Sequence, residues 1–402
     1  MPRTICVFPN DPLQAYHRKG EVKERYFNPL NLFDEVHVIS LYDDDAPPEQ
    51  VQAMAGDAAM FVHCVGAFPG LLQWRSLGYR RRLLRLMQAI RPDVVRAYNA
   101  LGPGWLAVTT AKRLRVPSVV SLHVSYDDQR TFDPHTIART SLFFERQCLR
   151  QADCVVCVSA YLCDYARKYG ARRTEVIYNR VDTQRYHTLA RWHVDTLERW
   201  NVLTCQPVNV PTCQPANVPT CQRANEDFTV LWVGRFQSQK CPAVVIQAVA
   251  DLDVRLVMIG DGEQRKAMEV LVKRLEIQDR VTFIPSVPNS EIPRYYRSAD
   301  VFAIATRYEG FCIPVLEAMA AGLPVVASDV PPIPEILGGT GYVVPNDPAA
   351  FRAAIKRLRS DASLRAELGR RARERAESLD ASIMEQRERD LYLELIGDLR
   401  EK

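Results

Sequence analysis

No run of about 18 uninterrupted apolar residues occurs in this chain, so nothing in it reads as a membrane span. The first residues, MPRTICVFPN, enter a strand-like pattern directly and lack the apolar stretch of a secretory leader. The eleven cysteines form no paired framework, and none completes the Cys/His spacing of a metal site. That usage suits a reducing compartment, and the expected location is cytoplasmic. Motifs of nucleic-acid recognition are missing as well, and no nucleic-acid partner is expected. Net charge is only +4, but it is unevenly spread: residues 1–188 hold 25 Lys/Arg against 19 Asp/Glu. The excess gathers between Trp74 and Arg85, where Arg75, Arg80, Arg81 and Arg82 alternate with Leu77, Leu83 and Leu84, next to Leu71 and Leu72. A basic amphipathic helix of this kind either faces solvent or docks on anionic headgroups, here at the inner membrane face.

What is present suits a globular enzyme. A length of 402 residues exceeds one ordinary domain and fits two of roughly 150–200. The apolar fraction of 47% and charged fraction of 25% are those of a protein able to bury a core. Strand-like runs at Thr4–Phe8, Glu35–Leu41, Met60–Val65, Pro92–Tyr98, Val116–His123 and Ala152–Ser159 alternate with helical patterns. Further runs follow at Phe228–Val233, Val254–Ile259, Val281–Ile284 and Asp300–Ala305. Strands separated by helices predict parallel, doubly wound sheets. The expected boundaries are a first domain at 1–188, a linker at 189–227, a second domain at 228–380 and a helical tail at 381–402. Within the linker, NVLTCQPV, NVPTCQPA and NVPTCQRA are three copies of one octapeptide over 201–225. This polar, Pro-containing repeat has no helical or strand period and reads as an inserted loop.

The most informative stretch is TRYEGFCIPVLEAMAAGLPVVASD, from Thr306 to Asp329. Pro314 suits a first helical turn, and Gly322 a helix C-cap before the strand-like Val325–Ala327. The amides near Cys312, Val315 and Leu316 are then unpaired at a helix start, which favours an anion such as phosphate. Glu309 would be repelled by phosphate but suits a sugar hydroxyl, and Glu317, two turns on, suits a ribose diol. In the second domain a strand runs into Gly234-Arg235-Phe236-Gln237-Ser238-Gln239-Lys240. Two cations five residues apart on one turn can share a diphosphate, Arg with its fork and Lys as a point charge. Gly260-Asp261-Gly262 allows a tight turn and the close approach of a nucleotide. Asp43-Asp44-Asp45, between a strand and Pro47-Pro48, reads as a solvated acidic turn rather than a metal site. His123 ends a strand, where ligands of open α/β sheets collect, although a lone histidine there is more often structural. Asp127 and Asp128 follow it and are candidates to face an acceptor.

The string RYEGFCIPVLEAMAAGLPVVASD resembles the E-x7-E motif of the retaining GT-B glycosyltransferases, glycosyltransferase family 4. G-R-x-x-x-x-K at Gly234–Lys240 and I-G-D-G at Ile259–Gly262 are similar to family segments too, as is VIYNRVD at 176–182 more loosely. The resemblance implies a GT-B fold: two Rossmann-like domains with parallel sheets facing across a cleft, and a last helix returning to the first domain. It implies transfer of a hexose from a nucleotide diphosphate sugar to a glycan or lipid-linked acceptor, with retention, in surface polysaccharide or glycan synthesis, and with no metal or other cofactor. Arg235 and Lys240 would then bind the phosphates and Glu309 the sugar, with His123 beside it. Gly310, Phe311, Cys312, Val315 and Leu316 would complete the donor site, with Glu317 on the ribose and the backbone at Val287 on the base. Gly20 stands where relatives have a glycine pair near the diphosphate, and Cys312 where they more often have glycine. Nucleotide-sugar epimerisation and non-catalytic nucleotide-sugar binding are the alternative readings.

Overall fold

The computed structural model describes residues 2–70, 73, 75–132, 141–187 and 228–400. The octapeptide repeat at 201–225 and the rest of the expected linker lie outside the described residues, as do Leu71, Leu72 and Trp74 of the basic segment. The chain forms two compact units: residues 1–181 with 308–312 and 379–402, and residues 182–307 with 313–378.

In the first unit seven parallel strands are ordered β3-β2-β1-β4-β5-β6-β7. They are β1 (Thr4–Phe8), β2 (Glu35–Ser40), β3 (Ala59–Cys64), β4 (Val94–Ala97), β5 (Ser118–Leu122), β6 (Cys154–Cys157) and β7 (Thr174–Val176). Burial on both faces explains why β1 and β6 read as apolar runs without alternation, while β4 and β5 bury Arg96, Ser118 and Ser121 among apolar neighbours. Several of these strands are a residue or two shorter at each end than their apolar runs, because the flanking residues turn away to start helices. Ser159 is one such residue: its side chain caps the helix Ala160–Lys168 by accepting from the Leu162 amide.

The last helix, Ala381–Arg400, belongs to this unit. Met384, Leu391, Tyr392, Leu395 and Ile396 join the core built on Ile5, Val36, Val94 and Phe33. Charged residues line the same contact. Glu388 accepts from Arg180 and from Tyr392 (3.2 Å), and lies 3.3 Å from Arg96. Glu385 accepts from Arg25 at 2.9 and 3.2 Å and from the Leu30 amide at 3.0 Å. Burial alone would raise the Glu388 carboxyl, but Arg180 and Arg96 outweigh it and hold it below the usual range.

The second unit has six parallel strands ordered β10-β9-β8-β11-β12-β13. They are β8 (Thr229–Val233), β9 (Arg255–Ile259), β10 (Val281–Ile284), β11 (Val301–Ile304), β12 (Val325–Ser328) and β13 (Tyr342–Val344). In both sheets the strand order reverses once, between β1 and β4 and between β8 and β11. The carboxyl ends of those strand pairs are where an open α/β sheet leaves room for a ligand.

Candidate functional site

In the second unit β8 delivers Gly234 and Arg235, and a short 3-10 turn, Ser238–Lys240, leads into the helix Pro242–Val249. Arg235 is exposed, while Lys240 is buried to 8% exposure. Next to this turn lies the end of β11. The Thr306 hydroxyl and the Arg307 amide both donate to the Gln239 carbonyl, at 3.1 and 2.8 Å. Ser328 accepts from the Thr306 amide (2.9 Å), and Asn346 donates to the Thr306 carbonyl (3.2 Å). The basic turn and the entry to the central segment are therefore one hydrogen-bonded assembly, tied through Ser328 and Asn346. Neither residue stood out in the sequence, because polar residues after strands are common.

Gly260 and Gly262 have φ of +138° and +153°, in the region open to glycine. A Cβ at Gly260 would stand 2.0 Å from the Gly234 carbonyl oxygen, and one at Gly262 2.5 Å from that of Phe236. The close approach expected of these glycines is thus occupied by the chain's own backbone. Asp261 accepts from the Ser286 amide at 2.8 Å and from Arg265 at 3.0 Å. The Ser286 amide, ahead of Arg265, holds its carboxyl below the ordinary range. This bond fixes Pro285–Val287, the segment assigned to the base.

The helix of the central segment runs Ile313–Ala320. Gly322, at φ +73°, ends it by donating to Met319, and Leu323 donates to Ala318, both at 2.9 Å. Val315 and Leu316 are fully buried, so their side chains are part of the core. Glu317 is half-buried and accepts from the Tyr296 hydroxyl at 2.7 Å. Tyr186 is a second partner: burial first, then this carboxylate, pushes its hydroxyl pKa up. Two tyrosines from other elements thus hold the carboxylate assigned to the ribose.

Tyr308–Cys312 belongs to the first unit. Glu309 is buried there at 5% exposure. Gly310 packs so closely on the carboxyl end of β5 that a Cβ would stand 1.7 Å from the His123 carbonyl oxygen. Tyr308 stacks on Phe132 with centroids 5.6 Å apart, and Phe311 meets Tyr178 at 5.6 Å. Cys312 takes φ +56°, a left-handed conformation that explains the glycine usual in relatives.

Also in the first unit, a cavity of about 370 Å³ opens at the carboxyl ends of β1, β4 and β5. Asn10, Tyr16, Tyr26, Tyr98, His123 and Gln129 are among its lining residues. Burial, then the nearby charges of Arg96 and Lys23, push His123 down to about 4, so the ring is neutral near pH 7. It is hydrogen-bonded to Asn179. Its Nε2 is buried and has no partner among the described residues.

Two expectations need correction. Asp127 is not turned to an acceptor: it accepts from Lys168 (2.8 Å), Tyr169 (2.7 Å) and Arg130 (3.0 Å). Asp128 likewise accepts from the Tyr161 hydroxyl at 2.7 Å. Both anchor the helix Tyr126–Phe132, because Tyr161, Lys168 and Tyr169, from the helix 160–168 and its end, reach them first. In the acidic turn, Asp43 and Asp44 are exposed, but Asp45 is structural. It accepts from Ser40 (2.6 Å) and from the amides of Gln14 and Ala46 (both 2.8 Å). Gly20, at φ +64°, follows the helix Leu13–Arg18 as its terminating glycine, and a Cβ there would meet open space. Among the described residues no group of three or more His, Cys, Asp or Glu side chains is placed to hold a metal ion.

Two doubly wound parallel sheets, each with its candidate residues at the strand ends beside the reversal of order, define a two-unit α/β protein of Rossmann-like type. Comparison with known proteins narrows that class. Residues 218–375 match the family model "Glycosyl transferases group 1", and residues 32–185 match "Glycosyltransferase Family 4". The chain belongs to this family of GT-B glycosyltransferases. A "D-inositol 3-phosphate glycosyltransferase" of Pseudarthrobacter chlorophenolicus is 35% identical over 163 residues, 38% of this chain and 39% of that protein. An "O-antigen chain mannosyltransferase B" of Escherichia coli is 33% identical over 143 residues, 34% of this chain and 38% of that one. The matched stretch spans about two fifths of the length of such curated relatives. The crystal structure of HepE from Anabaena in complex with UDP shares the fold at 18% identity, with a TM-score of 0.73 over 97% of this chain and 99% of that one.

Proposed function

We propose that this chain transfers a hexose from a nucleotide diphosphate sugar to an acceptor hydroxyl with retention of configuration, in the synthesis of a glycan or polysaccharide. The observation that carries the reading is the hydrogen-bonded assembly of the Arg235–Lys240 turn with Thr306–Arg307, the entry to the E-x7-E segment. Lys240 and Arg235 neutralise the diphosphate, and the amides at the start of the helix Ile313–Ala320 add their dipoles. These fixed donors stabilise the charge that develops on the leaving nucleotide, which is how preorganised electrostatics lowers a barrier. They fill the role a divalent cation plays in other transferases. Glu309, with the amides of Gly310–Cys312, holds the sugar, and Glu317, steadied by Tyr186 and Tyr296, holds the ribose. His123 presents a neutral nitrogen to a substrate hydroxyl. The fold neighbour HepE has been crystallised with UDP-glucose, which supports a donor of this chemical class.

A thermal-shift and turnover screen against UDP-, GDP-, ADP- and dTDP-sugars tests the reading. One donor is expected to stabilise the wild type, and Lys240→Ala and Glu309→Ala each lower turnover at least a hundredfold, the first by losing a charge-stabilising group and the second by losing the group that positions the sugar. No binding of any nucleotide sugar, or unchanged turnover in both variants, sinks it.

We infer further that the protein works at an anionic membrane face. On the helix Arg75–Ile90, Tyr79, Leu83 and Met87 are buried, and Arg75, Leu77, Arg81, Arg82 and Arg85 are exposed. Co-sedimentation with phosphatidylglycerol vesicles is expected, and Arg81→Glu with Arg85→Glu abolishes it. Equal pelleting of the double variant counts against the idea. Among the described residues no helix is long and apolar enough to cross a membrane.

A further inference from the structure

We propose that the tyrosine-lined cavity of the first unit seats one uncharged sugar or polyol ring of the acceptor, and that it selects against a phosphorylated one. The proposal rests on the transferase reading for the word acceptor, but its geometry stands independently. Tyr16, Tyr26, Tyr98 and His123 form a continuous aromatic series along the cavity. Successive centroids are 6.3, 5.0 and 6.2 Å apart, and Tyr98 and His123 are within 14° of parallel. The series is preorganised. The Tyr98 hydroxyl donates to the Tyr26 carbonyl at 3.0 Å, and the Ala100 amide donates to the Tyr126 hydroxyl at 3.2 Å. Aromatic walls held this rigidly suit a pyranose or inositol ring, which is apolar across its C–H face and polar at its edge.

Polar groups are placed for such an edge. His123 is bonded to Asn179, and its buried Nε2 lacks a partner among the described residues. One nitrogen of the neutral ring donates and the other accepts, and a hydroxyl, which can do both, completes Nε2 in either tautomer. Asn10 and Gln129 supply amides at the same cavity. A volume of about 370 Å³ lies at the low end of ligand sites, with room for a ring rather than a long glycan.

Charge decides the class of ring. Among the described residues the lining includes no Lys, Arg, Asp or Glu. Arg96, which contributes to the field at His123, is itself buried and engaged by Glu388. Lys23 acts on His123 as well, yet it is exposed and outside the lining. A phosphate dianion placed among these tyrosines would lose its hydration without gaining a paired cation, which is unfavourable. This separates the cavity from what the name of the D-inositol 3-phosphate glycosyltransferase relatives implies for their own acceptor.

Saturation-transfer NMR and calorimetric titration of the full chain test this, with methyl α-D-mannopyranoside and myo-inositol against mannose 6-phosphate and inositol 3-phosphate. The uncharged probes are expected to bind at least tenfold more tightly than the phosphorylated ones. Gln129→Leu and Tyr26→Leu should each weaken the uncharged probes several-fold, with folding confirmed by circular dichroism. Should Tyr26→Leu fail to fold, Gln129→Leu at the half-buried edge still decides. Equal or tighter binding of the phosphorylated probes, lost in Lys23→Ala, overturns the proposal. So does uncharged binding that no folded variant weakens. The donor screen above keeps the two readings apart. Glycoside binding without any nucleotide-sugar shift supports the cavity and sinks the transferase, while a nucleotide-sugar shift without glycoside binding does the reverse.

Discussion

Replacing Glu388 by alanine should unsettle the first unit more than any surface change on the same helix. This carboxylate is 7% exposed, and it stands between Arg96 at 4% and Arg180 at 14% exposure. Arg96 also lies over the rings of Tyr98 and Tyr392, at 5.2 and 5.8 Å, so it has no route to water when its partner is removed. Breaking a buried pair from one side costs about 3–5 kcal/mol, because the remaining charge is left uncompensated. For a unit of this size that is a fall of roughly 6–20 °C in Tm. Glu394→Ala is the internal reference. Its bond to Arg173, at 2.7 Å, lies at the surface, with Glu394 exposed and Arg173 partly so, and is worth about 0–1 kcal/mol. Circular dichroism melts of both variants give the comparison. The pH dependence adds a sign. Glu388 is held below its ordinary pKa, so its contribution is complete above the unfolded value and is lost as pH falls through the folded one. The gap between wild type and Glu388→Ala should therefore be full at pH 7 and close below the usual carboxylate range, roughly pH 4. Equal melts for the two variants, or a gap that widens in acid, would refute the reasoning.

Two further outcomes follow from positions near the candidate site. Gly310→Ala places a Cβ within 1.7 Å of a backbone oxygen, so the segment carrying Glu309 must move. Overpacking of that kind costs about 1–3 kcal/mol, and turnover should fall at least tenfold; unchanged kinetics and melting would show that the approach is not tight. Because His123 titrates near 4, kcat/KM should show no acid limb from this residue between pH 5 and 8, and should drop only as pH approaches 4. An acid limb near 6.5 that disappears in His123→Asn would place the ring in an ordinary aqueous setting instead.

Much of this protein is local chemistry and is legible along the chain. Apolar runs broken by turn residues specify the strands, because parallel strands buried on both faces need apolar side chains on both. Ser159 and Gly322 mark a helix start and a helix end, because capping is a matter of a few adjacent atoms. The E-x7-E segment and the Gly234–Lys240 turn are continuous stretches, and their resemblance to the glycosyltransferase family is read from adjacent residues. Tertiary structure decided what depends on segments far apart in sequence. Asp127 and Asp128 look like site residues until Lys168, Tyr169 and Tyr161 arrive from another helix. Glu317 looks solvated until Tyr186 and Tyr296 reach it. Gly260 and Gly310 are required by carbonyls 26 and 187 positions away, at Gly234 and His123. The neutrality of His123 comes from desolvation, and the buried charge of Glu388 from two arginines that outweigh it; no pattern of neighbouring residues encodes either. Sequence determines which groups are available, and only the packed chain determines which of them water can still reach.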